Sequence, residues 1–229
     1  MTAQAWRAFY IDEHGPLEGF MPWERELYGQ VTRPGDRILI VGAGSGRDML
    51  PFLERGHQVV GIEPAHEPAE TLRQLLASSH HSAEIIEGFI EHALIPGTFD
   101  LVIFSWLCYT YMHQASRRIE ALKRVAHQLN PDGRIALTDI AAEPARQDRA
   151  IRLTQWIARV TGSDWVPEKN DVLKNERNSA GERALTYEHW FVPGEVEQEA
   201  RGAGLRVIST QGPVGIPVII LGGQGGRSR

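Results

Sequence analysis

The sequence predicts an α/β fold: an open, mostly parallel sheet with helices on both faces and an antiparallel hairpin at its C-terminal edge. Three observations predict it. Ile38 to Val41, Val59 to Ile62 and Leu101 to Phe104 are short apolar runs without alternation, as strands buried on both faces are. Helical patterns separate these runs, so each strand is followed by a crossover. Two late strand-like runs, LRVIST (205–210) and GIPVIILGG (215–223), suit an edge hairpin.

Residues 1–33 come first and stand outside the alternation. They carry Trp6, Phe9, Tyr10, Phe20, Trp23 and Tyr28. They read equally as a cover over the mouth of the sheet or as surface packing. From residue 34 to 229 the chain reads as one domain. After the first strand, Arg47 to Arg55 has a helical pattern that stops at Gly56, a suitable residue just past a helix end. Glu67 to Ser78 places Leu72, Leu75 and Leu76 on one face. Ser116 reads as the N-cap of a helix in which Ile119, Leu122, Val125 and Leu129 recur at helical spacing. "NPDG" (130–133) ends that helix, because proline cannot continue it and glycine permits a turn. Arg134 to Thr138 is the next strand. Residues 161–183 are polar and aperiodic and read as an insertion. "ALTYEHWF" (184–191) reads as a strand with Leu185, Tyr187, His189 and Phe191 on one side, and a short helix opens at Pro193. The architecture is therefore Rossmann-like.

The formal net charge is -5, which does not suit a general nucleic-acid binder. Basic pairs such as Arg117-Arg118 read as a solvated helix face. Cys108 is the single cysteine, so an intrachain disulfide is excluded, and a reducing cytoplasm is the expected location. The apolar stretch Leu101 to Met112 is too short to span a membrane, and residues 1–15 lack the pattern of a secretory signal. No membrane or nucleic-acid partner is expected.

"VGAGSGRDMLPFLERGHQVVGIEP" (41–64) carries the ligand signal. Gly42, Gly44 and Gly46 have G-x-G-x-G spacing. The dinucleotide fingerprint wants its third glycine one place later, where Arg47 stands. No Gly-Lys-Ser/Thr run exists for a triphosphate loop. Glu63 ends the second strand, where a carboxylate accepts hydrogen bonds from both ribose hydroxyls. Glu63 alone does not separate S-adenosylmethionine from a nicotinamide dinucleotide.

At this point the sequence resembles the class I S-adenosylmethionine-dependent methyltransferases, over residues 35–140 above all. The 41–64 segment resembles the family's first two motifs. "GTFDLVIFSWLCYTY" (97–111) resembles its fourth-strand motif, and "ALKRVAHQLNPDGRIALTD" (121–139) its fifth-strand unit. "YEHWFVPGEVEQEARGAGLRVI" (187–208) is similar to its C-terminal strand–helix–strand. The resemblance implies S-adenosylmethionine as cofactor. It places Gly42, Ala43, Gly44 and Gly46 along the methionine and ribose, Glu63 on the ribose and Pro64 on the adenine. Ser105 and Trp106 fall near the sulfonium. Phe89 and Ile90 occupy the adenine segment, where the family often has an aspartate; either Glu91 substitutes there, or apolar contacts and backbone hold the adenine.

Methyl transfer from a sulfonium is an in-line displacement in which the protein positions the acceptor and excludes water. No metal-ligand cluster is visible, and His80-His81 reads as a surface feature, so no metal is expected. The expected acceptor is an O or N atom of a small molecule. Proton removal, where needed, falls to Tyr109 or His189, with Tyr111, His113 and His14 as further candidates. The aromatic residues equally suit a cage for a cationic acceptor. A nicotinamide-dependent oxidoreductase and a non-catalytic cofactor-binding domain are the competing readings.

Overall fold

The structure is a computed structural model describing residues 19–142, 149–162, 166–177, 183–213 and 216–223. The elements are α1 (Pro22–Val31), β1 (Arg37–Val41), α2 (Met49–Leu53), β2 (Gln58–Glu63), α3 (His66–Ser78), β3 (Glu84–Glu87) and β4 (Phe99–Phe104). A 3₁₀ turn (Cys108–Tyr111), α4 (Ala115–His127), β5 (Leu129–Thr138) and α5 (Arg149–Thr161) follow. The chain closes with β6 (Asp171–Arg177), β7 (Arg183–His189), α6 (Glu195–Gly202), β8 (Leu205–Gln211) and β9 (Val218–Gly223).

Seven strands form one sheet in the order β3-β2-β1-β4-β5-β9-β8. The first five are parallel; β9 runs antiparallel to β5 and to β8, which gives the expected edge hairpin. Strand β1 shows why its sequence reads as an unbroken apolar run. Leu39 and Val41 face a core with Ala121, Leu122 and Val125 of α4. Ile38 and Ile40 face a second core with Met49, Phe52 and Leu72. Burying one such side chain contributes about 1.5–3 kcal/mol, so both layers stabilise the central strand.

Several expectations are revised. Helix α4 begins at Ala115 with Gln114 as N-cap, so Ser116 lies inside its first turn. Leu129 belongs to β5 and pairs with Phe99 across a register shift. The short β3 was not legible, because four residues, EIIE, give too little pattern. Residues 171–177, expected within an aperiodic insertion, form β6 and pair antiparallel with β7 in a separate two-stranded sheet. Cross-strand pairing supplies what polar composition concealed.

Of the expected N-terminal cover, residues 1–18 lie outside the described residues. The described remainder is part of the core: Phe20 and Tyr28 meet Phe52 with ring centroids 4.8 and 5.4 Å away. No described helix is long and apolar enough to cross a membrane.

Candidate active site

The carboxyl ends of the parallel strands form one edge, and the glycine turn follows β1 there. Gly42 and Ala43 both donate backbone N–H groups to the Ile62 carbonyl, at 2.9 Å each. Gly42 has φ 75°, and a Cβ built there would lie 2.7 Å from Cys108 Sγ. Glycine is therefore required at this position by conformation and by space. Gly46 also meets a packing demand: a Cβ there would lie 2.5 Å from Leu72 Cδ1 of α3.

Glu63 is buried beneath the turn. Its Oε2 accepts the Gly44 N–H at 2.8 Å and its Oε1 accepts the Ala65 N–H at 2.9 Å. Burial pushes its pKa up to about 7, partly offset by those two donors. It thus clamps the loops after β1 and β2 together, while each oxygen retains a lone pair.

A cavity of about 430 Å³ opens beside this clamp. Gly42, Pro64, Phe89 and Ile90 line it, together with Cys108 and Tyr111 from the 3₁₀ turn. Glu91 and His92 also line it. The volume falls in the range of small-molecule and cofactor sites, and a Cβ at Gly42 would take up space at the cavity wall.

Arg47, the residue that departs from the dinucleotide fingerprint, has a structural task. Its guanidinium forks onto Glu24 of α1 at 2.8 and 2.7 Å and reaches Asp48 at 2.7 Å. It also lies 5.2 Å from the Trp106 ring centroid. Asp48 accepts a hydrogen bond from Ser105 Oγ. Ser105 and Trp106 are thereby tied to the glycine turn and to α1.

Beyond β5 lies an ionic cluster that sequence reasoning missed. Arg118 is fully buried, which overturns its reading as a solvated residue. It donates to Glu199 at 2.7 Å, to Glu168 at 3.1 Å and to the Met112 carbonyl at 3.1 Å. Its spacing from Leu122 and Val125, four and seven residues on, was the available signal for burial.

Tyr109 and His189, the expected bases, belong to this cluster. The Tyr109 hydroxyl is buried and donates to Glu199 at 2.6 Å. Burial and then Glu199 raise its pKa well above the usual phenol value, so it is corrected to a positioning group. His189 is 1% exposed, with Nδ1 2.7 Å from Asp171 and Nε2 2.8 Å from Glu195. Burial alone would lower its pKa, but the hydrogen bonds to Asp171 and Glu195 outweigh burial and raise it. It reads as an imidazolium that bridges two carboxylates. His113 stacks on Tyr187 at 4.2 Å, and burial holds its pKa down at about 4. His14 lies outside the described residues.

A raised histidine pKa stabilises the fold fully below the unfolded value near 6.5. That contribution is lost as pH rises through the folded value. In thermal unfolding across pH, wild type is expected to lose its advantage over His189→Gln as the solution becomes alkaline. Parallel curves would show that His189 is not charged in the fold.

Glu168, Asp171 and His189 bring one ligand atom each within 4.8 Å of one another. This corrects the expectation that no such constellation forms; the 168–171 turn and β7 assemble it. Arg118 already brings a cation to Glu168, and both His189 nitrogens are engaged. Excess chelator is therefore expected to leave the melting temperature unchanged. A fall reversed by added zinc would show a resident metal.

A methyltransferase-domain family pattern matches residues 38–133. An uncharacterized methyltransferase of Geobacillus kaustophilus is 29% identical over 124 residues, 53% of this chain and 55% of the relative. The match thus spans about half the length of that relative. The cypemycin N-terminal methyltransferase of a Streptomyces species is 25% identical over 208 residues, covering 86% of this chain and 82% of the relative. The solved CcbJ methyltransferase from Streptomyces caelestis superposes with a TM-score of 0.68 at 15% identity, covering 94% of this chain and 95% of the other. That likeness establishes a shared fold.

Proposed function

From its place in the class I S-adenosylmethionine-dependent methyltransferase family, we propose that this chain transfers a methyl group to the nitrogen of a small-molecule amine. An acidic edge after β5, the strand next to β4, carries the reading of the acceptor. Asp139, at the end of β5, is 6% exposed, and its Oδ1 has no hydrogen-bond partner. Glu195 lies near enough to raise its pKa further. Such an edge favours a cationic amine over a neutral alcohol. Similarity to an N-terminal methyltransferase over most of the chain supports the same reading.

When bound, S-adenosylmethionine supplies an electrophilic methyl group. The residues present fit it. Gly42 lets the backbone approach, Glu63 has acceptor capacity left for the ribose hydroxyls, and Pro64, Phe89 and Ile90 offer apolar surface to the adenine. Ser105 and Trp106 fix the loop after β4 next to the glycine turn. The protein's task is positioning and water exclusion.

The cofactor assignment is tested by calorimetry with S-adenosylmethionine, S-adenosylhomocysteine and NAD, where the first two bind and NAD does not. Tight NAD binding favours the oxidoreductase reading. Methyl-labelled cofactor is then offered with amino sugars, small peptides with free amino termini and their hydroxyl analogues. Amine-selective labelling is the expected result. Binding without turnover of any acceptor favours a non-catalytic domain. We also propose that the segment before Phe20 and residues 161–183 cover the acceptor, with increased hydrogen-exchange protection in the ternary complex as the readout.

A further inference from the structure

The geometry points to Asp139 as the catalytic residue that takes the proton from the acceptor's ammonium group. This inference rests on the amine reading above.

The sheet order locates it. The cavity lies along the ends of β3, β2, β1 and β4, and β5 is the next strand. Leu137 of β5 pairs with Phe104 of β4, so Thr138–Asp139 and Ser105–Trp106 leave the sheet side by side. Beyond the cavity, in the direction from the adenine segment through the glycine turn, this is the next place for a bound molecule.

The backbone there is strained and held. Trp106 and Leu107 have φ of 25° and 55°, a region non-glycine residues rarely adopt. The Leu107 N–H donates to Thr138 Oγ1 at 2.8 Å, which anchors that turn to the residue before Asp139. Strain of this kind clusters at functional sites. The Asp139 N–H donates to the Pro217 carbonyl, and the Ile140 carbonyl accepts from Phe191 N–H at 2.8 Å, so Asp139 sits on fixed backbone.

Among the described residues, the titratable groups Tyr109, His189 and Glu195 are committed. Tyr109 donates to Glu199, and His189 is held by Asp171 and Glu195. Glu195 accepts from His189 on one oxygen and from the Val192 N–H on the other. Asp139 Oδ1 is enclosed without a partner, and a buried acceptor left unpaired is costly unless a ligand satisfies it. Burial, then Glu195, pushes its pKa up to about 7, which suits a group that must both take and release a proton near neutrality.

In the reaction, the acceptor's ammonium gives one proton to the Asp139 carboxylate. The freed nitrogen lone pair forms the N–C bond as the C–S bond breaks, with its electron pair left on sulfur. The product leaves as the methylated ammonium, and Asp139 passes its proton to water, which restores the carboxylate.

Asp139→Asn preserves shape and removes the base. Turnover of a labelled panel amine is expected to fall by roughly 10²–10⁴-fold at neutral pH, with the S-adenosylmethionine affinity unchanged. The deficit should shrink as pH approaches the amine's own pKa, where solution supplies the neutral form. A constant deficit across pH would mean a shaping role and overturn the proposal, as would full activity. A second readout needs no turnover. In the S-adenosylhomocysteine complex, ammonium chloride should shift the titration of the Asp139 carboxyl seen by ¹³C NMR, and an unmoved titration overturns the proposal. Labelling of hydroxyl analogues alone defeats the amine reading itself. Equal amine turnover by wild type and Asp139→Asn defeats only the role of Asp139.

Discussion

Arg118→Met is expected to destabilise the protein by about 3–5 kcal/mol, the cost of removing one partner from a buried ion pair. The fully buried guanidinium binds Glu199 through Nε and Nη2, reaches Glu168, and bonds the Met112 carbonyl. It joins α4 to α6, to the turn before β6 and to the segment after the 3₁₀ turn. Without it, Glu199 stays 3% exposed with, among the described residues, the Tyr109 hydroxyl as its remaining side-chain partner. Methionine fills part of the volume but satisfies none of these oxygens. Arg118→Lys keeps the charge and loses the planar fork, so an intermediate loss is expected. In a chain of this length each kcal/mol lowers the melting temperature by roughly 2–4 °C. Denaturant unfolding measures the cost directly; a loss below about 1 kcal/mol would mean that water replaces the guanidinium and that the cluster is not closed.

Glu63→Ala is expected to weaken S-adenosylmethionine binding by about 1.5–3 kcal/mol, the range for hydrogen bonds to a charged group. That is roughly a tenfold to hundredfold rise in Kd. Two losses add here. The Gly44 and Ala65 amides lose their acceptor, and the ribose hydroxyls lose theirs. The pKa near 7 adds a pH signature, because the carboxylate is the accepting form. As pH rises to 7 the fraction ionised in the free protein grows, so affinity should rise by up to tenfold per unit below that value and then level off. The rise should vanish in Glu63→Gln. An unchanged Kd in Glu63→Ala would remove this residue from the cofactor site.

The sequence by itself determined the parallel sheet, the glycine turn, the carboxylate at the end of β2 and the edge hairpin. Each is a local signal: an unbroken apolar run, a residue that tolerates φ of 75° at Gly42, a charge at a fixed strand position. Gly42, Pro64, Phe89 and Ile90 came into one cavity because strand ends share an edge once the sheet is parallel. What only the tertiary structure decided is the chemistry of the charged groups. Helical spacing sets Arg118 apart from Arg117, but only the packing of α6 buries the first while the second stays exposed. Tyr109 and His189 looked free for catalysis until Glu199 and Asp171 arrived from remote segments, and Glu195 from six residues on, to bind them. Asp139 ends the fifth-strand segment without standing out in it, and its significance comes from what surrounds it. Burial and partners set whether an ionisable side chain is spent on structure or left reactive, and both come from contacts that close only when remote segments pack.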